Sequence, residues 1–270
     1  MKLVIEPGRT VKNYWRDLWQ YRELMYFLAW RDIAVRYKQT MIGAAWVLLR
    51  PALTMVVFVA FRRMAGFPRG SIPDPVLVSA AVLPWQFFSS AVSESANSVV
   101  GSANLIAKVY FPRIIIPLAA TVTSFVDFLI TLGLLAALML WYDVIPSWQI
   151  VTMPLFMLLA FGLALGLGLF LATLNVEYRD FRFIVPFIIQ LGFFVTPIAF
   201  ATSDVPERWR LLFVLNPMAG VIDGIRWSLF GGKVSLDWQL VVASVVMCGG
   251  LVYLGVWYFR RMERGFADVI

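Results

Sequence analysis

Residues 30–61 read WRDIAVRYKQTMIGAAWVLLRPALTMVVFVAF, and this stretch decides the class of the protein. Its first nine residues include the charged Arg31, Asp32, Arg36 and Lys38, whereas only Arg50 is charged in the rest of the stretch. About 20 apolar helical residues cross a bilayer core about 30 Å thick. The stretch therefore predicts a transmembrane helix whose start is held at the anionic inner leaflet by the cationic residues before it.

The composition of the whole chain agrees with a membrane protein. Of its 270 residues, 61% are hydrophobic and 14% are charged, whereas a soluble domain has about 25% charged residues. The net charge of +7 is expected to reflect topology, because the basic residues flank apolar segments, so no nucleic-acid partner is predicted. One cysteine and no histidine argue against a disulfide framework, a metal site and histidine-based catalysis.

Apolar runs long enough to span a membrane occur six times. Both termini and two of the links carry most of the 23 lysine and arginine residues, and the positive-inside rule assigns these segments to the cytoplasm. We therefore predict an all-α integral membrane protein that forms one domain over residues 1–270, with both termini cytoplasmic. The predicted spans are residues 41–61, 76–92, 114–141, 150–176, 183–200 and 236–259.

Residues 1–40 are predicted to form a cytoplasmic and interfacial segment. Apolar and aromatic residues recur at helical spacing between Tyr14 and Leu28, and Trp15, Trp19 and Trp30 lie beside them. This pattern favours an amphipathic helix in the headgroup layer. The alternative is a short soluble helical extension.

The link of residues 94–113 predicts a cytoplasmic helix that ends before Pro112. Val99 and Ile106 belong to an apolar stripe on this helix, and such a stripe needs cover. Either the spans of the same subunit or a partner protein would provide it.

The segment 201–235 is too apolar for an exposed loop, and prolines and glycines interrupt it too often for a span. One interpretation is a pair of re-entrant helices at the outer face, buried in protein or lining a hydrated cavity. The other is a pair of helices that rest on the outer leaflet.

Two ionisable residues inside predicted spans have roles that the sequence leaves open. Asp127 fits either proton coupling or a structural role, bonded to Ser124, Thr131 or an arginine such as Arg50. Arg50 is followed by a proline, which favours a first span that faces a hydrated interior.

Aromatic residues make up 16% of the chain, and many fall at the centres of predicted spans. Core packing accounts for most rings in such places. A subset could instead form a smooth wall along which sugar rings slide. The candidate channel residues are Trp46, Phe58, Phe61, Trp85, Phe88, Phe193 and Phe194.

The sequence has no G-x-x-x-x-G-K-[ST] phosphate-binding loop, no nucleophile elbow and no zincin helix. We therefore predict no catalytic residue, no metal site and no cofactor in this chain. The remaining functions are passage, anchoring or signalling in the bilayer.

Several separated motifs, in order, resemble the permease subunits of ABC-2 type exporters of O-antigen and related cell-surface polysaccharides. They are RDIAVRYKQTMIGAAWVLLRP, LPWQFFSSAVSESANSVVGSANLIAKVYFPRIIIPLA, LNVEYRDFRFIVPFIIQLGFFVTPIAF, VPERWRLLFVLNPMAGVIDGIRWSLFG and the tail YFRRMERGFADVI. The resemblance covers nearly the whole chain. Arg62 and Arg63 depart from it, because smaller or apolar residues are expected there.

The resemblance implies a homodimer of six-span subunits in the bacterial inner membrane, joined to two copies of a separate ATPase that binds ATP and Mg. Its implied cargo is an undecaprenyl-diphosphate-linked polysaccharide. The alternatives are export of teichoic acid or another amphiphile by the same fold, or a membrane anchor that conducts nothing.

The resemblance also implies roles for particular segments. Tyr14 to Trp30 would be an interface helix near the lipid-substrate entrance, and 207–214 and 218–230 would be outer gate helices. The lipid-diphosphate entrance would use Arg31, Arg36 and Lys38. A coupling helix from Ser95 to Tyr110 would contact the ATPase through Ser95, Asn97, Asn104, Ile106, Lys108 and Tyr110.

Overall fold

A computed structural model describes residues 14–38, 43–67, 70–200 and 213–266. Within these ranges all regular secondary structure is helical, as the hydropathy pattern predicted. The helices are α1 (Tyr14–Gln20), α2 (Arg22–Lys38), α3 (Gly43–Met64), α4 (Asp74–Gly101), α5 (Ala103–Lys108), α6 (Ile115–Trp141), α7 (Met153–Glu177), α8 (Phe181–Val195), α9 (Pro217–Phe230) and α10 (Trp238–Met262).

Five of the six predicted spans coincide with helices that are long and apolar enough to cross a membrane, namely α3, α4, α6, α7 and α10. The run 183–200 is different, because α8 has only 15 residues and a length of about 22 Å. Thr196 is already extended, with φ −88° and ψ 137°, since proline disfavours the helical conformation in the residue before it. Pro197 therefore ends this helix earlier than the hydropathy pattern suggested.

The helix that contains the predicted second span, 76–92, is longer than that span. α4 continues to Gly101 and has 28 residues, about 42 Å of helix, which exceeds the bilayer core. The single coupling helix predicted from Ser95 to Tyr110 is therefore two pieces. Its first half is the end of α4, and its second half is α5, after a break at Ser102.

α4 lies at the centre of the bundle. It packs against α3, α6, α7, α8 and α9, and α7 in turn packs against α10. In the most apolar 18-residue window of α4, 78% of the residues are buried, against 17% in α3. One face of α3 is therefore left uncovered by the part of the chain that the structure describes.

Small residues let α7 and α10 approach closely. A Cβ added to Gly166 would lie 2.6 Å from the backbone of Leu251, and one added to Gly162 would lie 2.7 Å from the Sγ of Cys248. On the other side of α7, a Cβ at Gly168 would lie 2.5 Å from the Oγ of Ser95 on α4. Side chains at these positions would push the helices apart.

Side-chain caps fix the starts of the last two helices. The Asn216 side chain accepts a hydrogen bond from the Met218 N–H at 3.0 Å, and Pro217 takes the first helical position of α9, where proline costs no hydrogen bond. The Asp237 carboxylate accepts one from the Gln239 N–H at 2.9 Å and so begins α10. The predicted gate helix 218–230 is thus confirmed as a helix, whereas residues 207–212 of the other lie outside the described residues.

The main apolar core surrounds α4, and a second apolar cluster lies beneath the α4–α5 break, at what we call the α2 end of the bundle. Its buried members come from the two N-terminal helices, α5, the near ends of α4, α6, α7 and α10, and the residues beside them. Val99 and Ile106 both belong to it, with 0% and 7% exposure. The same subunit therefore covers most of the apolar stripe predicted in the link.

Candidate transport site

An ion-pair network joins α2 to the centre of the bundle. One terminal nitrogen of Arg36 donates to Glu94 Oε1 on α4 at 2.7 Å, and the other donates to Asp127 Oδ2 on α6. The side chains of Arg36, Glu94 and Asp127 are 31%, 33% and 16% exposed. Because one guanidinium bridges two helices of the core, it fixes α2 against both.

Two neutral hydroxyls complete what we call the Arg36 network, formed by Arg36, Tyr37, Glu94, Ser124 and Asp127. Tyr37 donates to Asp127 Oδ1 at 2.7 Å, and Ser124 donates to Glu94 Oε2 at 2.8 Å. Burial, helped by the hydrogen bond and charge of Asp127, raises the pKa of Tyr37 above its usual value, so the hydroxyl keeps the proton that it donates. Each carboxylate of the network is thus bonded through both of its oxygens.

Asp127 has an arginine partner, as one of its predicted alternatives required, but the arginine is Arg36 and not Arg50, and the other two predicted partners bond elsewhere. Ser124 bonds to Glu94 instead, and Thr131 donates to the carbonyl of Phe128. Arg50 is exposed, and its carbonyl accepts a hydrogen bond from the Thr54 hydroxyl at 2.9 Å. Sequence spacing pointed to neighbours on the same helix and missed an arginine 91 residues earlier in the chain.

The three cations predicted at the lipid-diphosphate entrance do not form one cluster. Arg36 points into the bundle, whereas Arg31 pairs with the adjacent Asp32 at 2.7 Å on the surface. Lys38, at the end of α2, is exposed. Exposed aromatic residues, among them Trp15, Trp19 and Trp30, lie on α1 and α2 as well.

Five of the seven predicted channel residues form one ring cluster between α3, α4 and α8. Phe193 lies 5.2 Å from Phe58, 6.0 Å from Trp85 and 5.8 Å from Phe194, measured between ring centroids, and Trp85 lies 5.5 Å from Phe88. Trp85 and Phe88 are buried within the subunit, whereas Phe194 is 71% exposed. The buried rings and the exposed ring therefore belong to one cluster of neighbouring aromatic side chains.

The other two predicted channel residues, Trp46 and Phe61, are exposed on α3. Their exposure matches the uncovered apolar face of that helix. Apolar residues that their own subunit leaves exposed contact lipid, a second subunit or cargo in the membrane.

The residues predicted to couple to the ATPase divide into a buried and an exposed group. Ser95 and Ile106 are buried in the subunit, and Asn97 accepts a hydrogen bond from Asn175 at 3.1 Å. Asn104 and Lys108 lie one turn apart on the exposed side of α5, and Tyr110 just beyond is 55% exposed. Only this second group offers a surface to another protein.

Two arginines bind the backbone of the segment that follows α8, an arrangement that we call the arginine clamp. Arg226 on α9 is 0% exposed and donates to the carbonyls of Pro197, Ile198 and Phe200 at 2.8 to 3.0 Å. Arg62 on α3 donates to the carbonyl of Ala199 at 2.8 Å. Four consecutive carbonyls of a non-helical segment thus find donors inside an apolar bundle, as such backbone requires.

The clamp gives a role to Arg62, one of the two arginines at the end of α3 that depart from the family resemblance. Arg62 is buried and forms an ion pair with Asp74 at 2.8 Å, at the first residue of α4. Arg63 is 62% exposed and lies 3.9 Å from the same carboxylate. The sequence interpretation missed Arg226 altogether, although a charged residue within the apolar run VIDGIRWSLF was a signal for a buried polar role.

The sequence profile of the family described as ABC-2 type transporter matches residues 23–230. The match covers α2 to α9, including the Arg36 network, the ring cluster and the arginine clamp. The chain therefore belongs to the ABC-2 type transporter family and is a multi-pass membrane protein.

Individual relatives extend this similarity to nearly the full chain. The O-antigen export system permease protein RfbA of Myxococcus xanthus is 32% identical over 258 residues, which is 94% of this chain and 98% of that protein. A Klebsiella pneumoniae protein of the same name is 28% identical over 92% of this chain and 95% of its own length. The capsule polysaccharide export inner-membrane protein CtrC of Neisseria meningitidis serogroup A is 22% identical over 88% of this chain and 90% of its own length.

Proposed function

We propose that this chain is the permease subunit of an ATP-driven exporter that moves a lipid-linked polysaccharide of the O-antigen type across the bacterial inner membrane. The observation that carries the proposal is its similarity, over more than nine tenths of the chain, to proteins named O-antigen export permeases. The relative named for capsule polysaccharide export is more distant but has the same cargo class. The cargo in the proposal is a polymer linked to undecaprenyl diphosphate.

In this proposal the subunit crosses the membrane six times, and both termini face the cytoplasm. α8 supplies the fifth crossing, and the clamped segment after it extends the short helix toward the outer surface. α9 is buried between α4, α7 and α10, which supports a re-entrant gate helix over one that rests on lipid. The Arg36 network then lies at the cytoplasmic end and the arginine clamp at the outer end.

The exposed side of α5 is the proposed docking surface for a separate ATPase, two copies of which would bind ATP and Mg and serve a homodimer. Asn104, Lys108 and Tyr110 provide its polar and aromatic contacts. Beneath them, Ile106 anchors α5 to the apolar cluster of the α2 end. A force applied to α5 would therefore reach the bundle through packed side chains.

The uncovered face of α3 and the exposed rings of α8 are the proposed walls of the polymer path, completed by the second subunit. Phe194 and Phe61 lie on these surfaces. Aromatic faces pack against the C–H faces of sugar rings and offer many similar contacts, which suits a polymer that slides. The buried Trp85 and Phe88 would support the exposed rings from behind.

The proposal is tested by export in cells that express the permease with its ATPase and the polymer-synthesis enzymes. Surface polysaccharide is measured by gel and by cell labelling, with a catalytically inactive ATPase as the control. We expect polymer at the surface only with the active ATPase and this chain. Normal surface polymer without the chain would exclude the proposal, and export of a different amphiphile with the same ATPase dependence would correct its cargo.

A further inference from the structure

The Arg36 network carries more negative than positive charge. One guanidinium faces two carboxylates, so the formal charge of the Arg36 network is −1 when all three groups are ionised. Both terminal nitrogens of Arg36 donate to those carboxylates, and the remaining carboxylate oxygens accept from Tyr37 and Ser124. A polyprenyl diphosphate that approaches Arg36 in this state meets two carboxylates of like charge beside the guanidinium and would have to displace one of them.

We propose that Glu94 and Asp127 form an electrostatic latch that keeps the lipid-diphosphate head away from Arg36, and that movement of α4 driven by the ATPase opens it. This inference rests on the proposed function, because it adds regulation to the proposed entrance. Glu94 and Asp127 are positioning residues in it, since they act on the lipid only through Arg36.

The path from the docking surface to the latch is short. Glu94 lies seven residues before Gly101, the last residue of α4, and α5 begins two residues later. About 10 Å of unbroken helix therefore separates the latch from the start of α5. A shift or tilt of the end of α4 moves the Glu94 carboxylate directly.

The two carboxylates respond differently to such a movement because they lie on different helices. If Glu94 moves away with α4, Arg36 keeps Asp127 on α6 as its partner, and the pair becomes formally neutral. The Arg36 nitrogen that donated to Glu94 can then donate to a phosphate oxygen. Two ion pairs in the closed state thus give way to one ion pair and one phosphate contact in the open state.

The test measures binding of a polyprenyl diphosphate to the permease–ATPase complex in nanodiscs, without nucleotide and with a non-hydrolysable ATP analogue. Glu94→Gln keeps the shape of the side chain and removes its charge. We expect the nucleotide-free variant to bind the diphosphate about tenfold more tightly than the wild type, because one nearby like charge is gone. The analogue should tighten binding to the wild type and change Glu94→Gln little.

Four controls isolate the latch. Glu23→Gln removes an exposed carboxylate from α2, the helix that carries Arg36. It should change the affinity for the diphosphate less than about twofold, because solvent screens exposed charges. A polyprenol without the diphosphate should bind equally to all variants. Asp127→Asn should act in the same direction as Glu94→Gln and replaces it if that variant does not fold, and Arg36→Gln should abolish the gain.

The failures are distinguishable. If Arg36→Gln weakens diphosphate binding while Glu94→Gln and Asp127→Asn leave it unchanged, Arg36 serves the entrance and the latch is refuted. If Glu94→Gln tightens binding but the nucleotide does nothing to the wild type, movement driven by the ATPase is refuted. If no form of the complex binds the diphosphate although the complex hydrolyses ATP, the proposed cargo is wrong and the latch falls with it.

Discussion

Replacing Arg226 by methionine removes a buried guanidinium while keeping an unbranched side chain in its place. The carbonyls of Pro197, Ile198 and Phe200 then lose the donors that lie 2.8 to 3.0 Å away. Each buried carbonyl without a donor costs about 1–3 kcal/mol, and relief from burying a cation offsets part of that cost. We expect a net loss of about 3–5 kcal/mol in the free energy of unfolding.

The matched control is Arg63→Met, because Arg63 follows the clamp residue Arg62 in the chain but is 62% exposed and lies 3.9 Å from Asp74. An exposed ion pair of this kind contributes about 0–1 kcal/mol. Thermal unfolding of both variants in detergent, followed by size-exclusion chromatography, should show a clear loss of stability for Arg226→Met only. A cysteine placed at Ala199 in a Cys248→Ser background should become reactive to a thiol probe in the Arg226→Met protein. Equal stability of the two variants, with Ala199→Cys still protected, would refute the clamp.

Three further predictions follow from the packing and the exposed surfaces. Lys108→Glu should lower co-purification of the ATPase without lowering the permease level, whereas Ile106→Asp should lower the permease level itself because it buries a charge. Equal expression of the two variants would contradict the assignment of Lys108 to the exposed side of α5 and of Ile106 to the buried side. Gly166→Val should separate α7 from α10 and lower the melting temperature by several degrees. The control is Gly133→Val, where an added Cβ has open space, and equal shifts of the two variants would argue against close packing at Gly166. Phe194→Leu should keep the protein level but reduce surface polysaccharide, since volume-conserving apolar changes cost under about 1.5 kcal/mol, and normal export would make this ring a lipid contact.

The sequence predicted the parts of the fold that depend on long hydrophobic runs. α3, α4, α6, α7 and α10 follow from hydropathy alone, because each needs only length and apolar character. The errors lie where a local feature overrides the run. Pro197 stops α8, and α4 continues past its apolar part because its amphipathic end is covered by the second apolar cluster.

The polar site was predicted less completely, for a physical reason. Arg36 was identified as a membrane-facing cation, but its partners Glu94 and Asp127 lie 58 and 91 residues away, and no local pattern reports such a distance. Arg226 donates to the backbone carbonyls of Pro197, Ile198 and Phe200, and because every residue has a carbonyl, a sequence pattern does not mark such acceptors. Ring clusters were easier, since aromatic residues in neighbouring spans pack together wherever the helices meet.

The most direct test of the central claim is translocation by the purified permease–ATPase complex in sealed proteoliposomes. A labelled glycan linked to undecaprenyl diphosphate is placed in the bilayer, and its appearance on the side opposite the ATPase is followed by lectin binding or by enzymatic cleavage. The account predicts translocation that requires ATP and this chain and stops when the ATPase is inactivated. ATP hydrolysis by an intact complex without any movement of the lipid-linked glycan would contradict it.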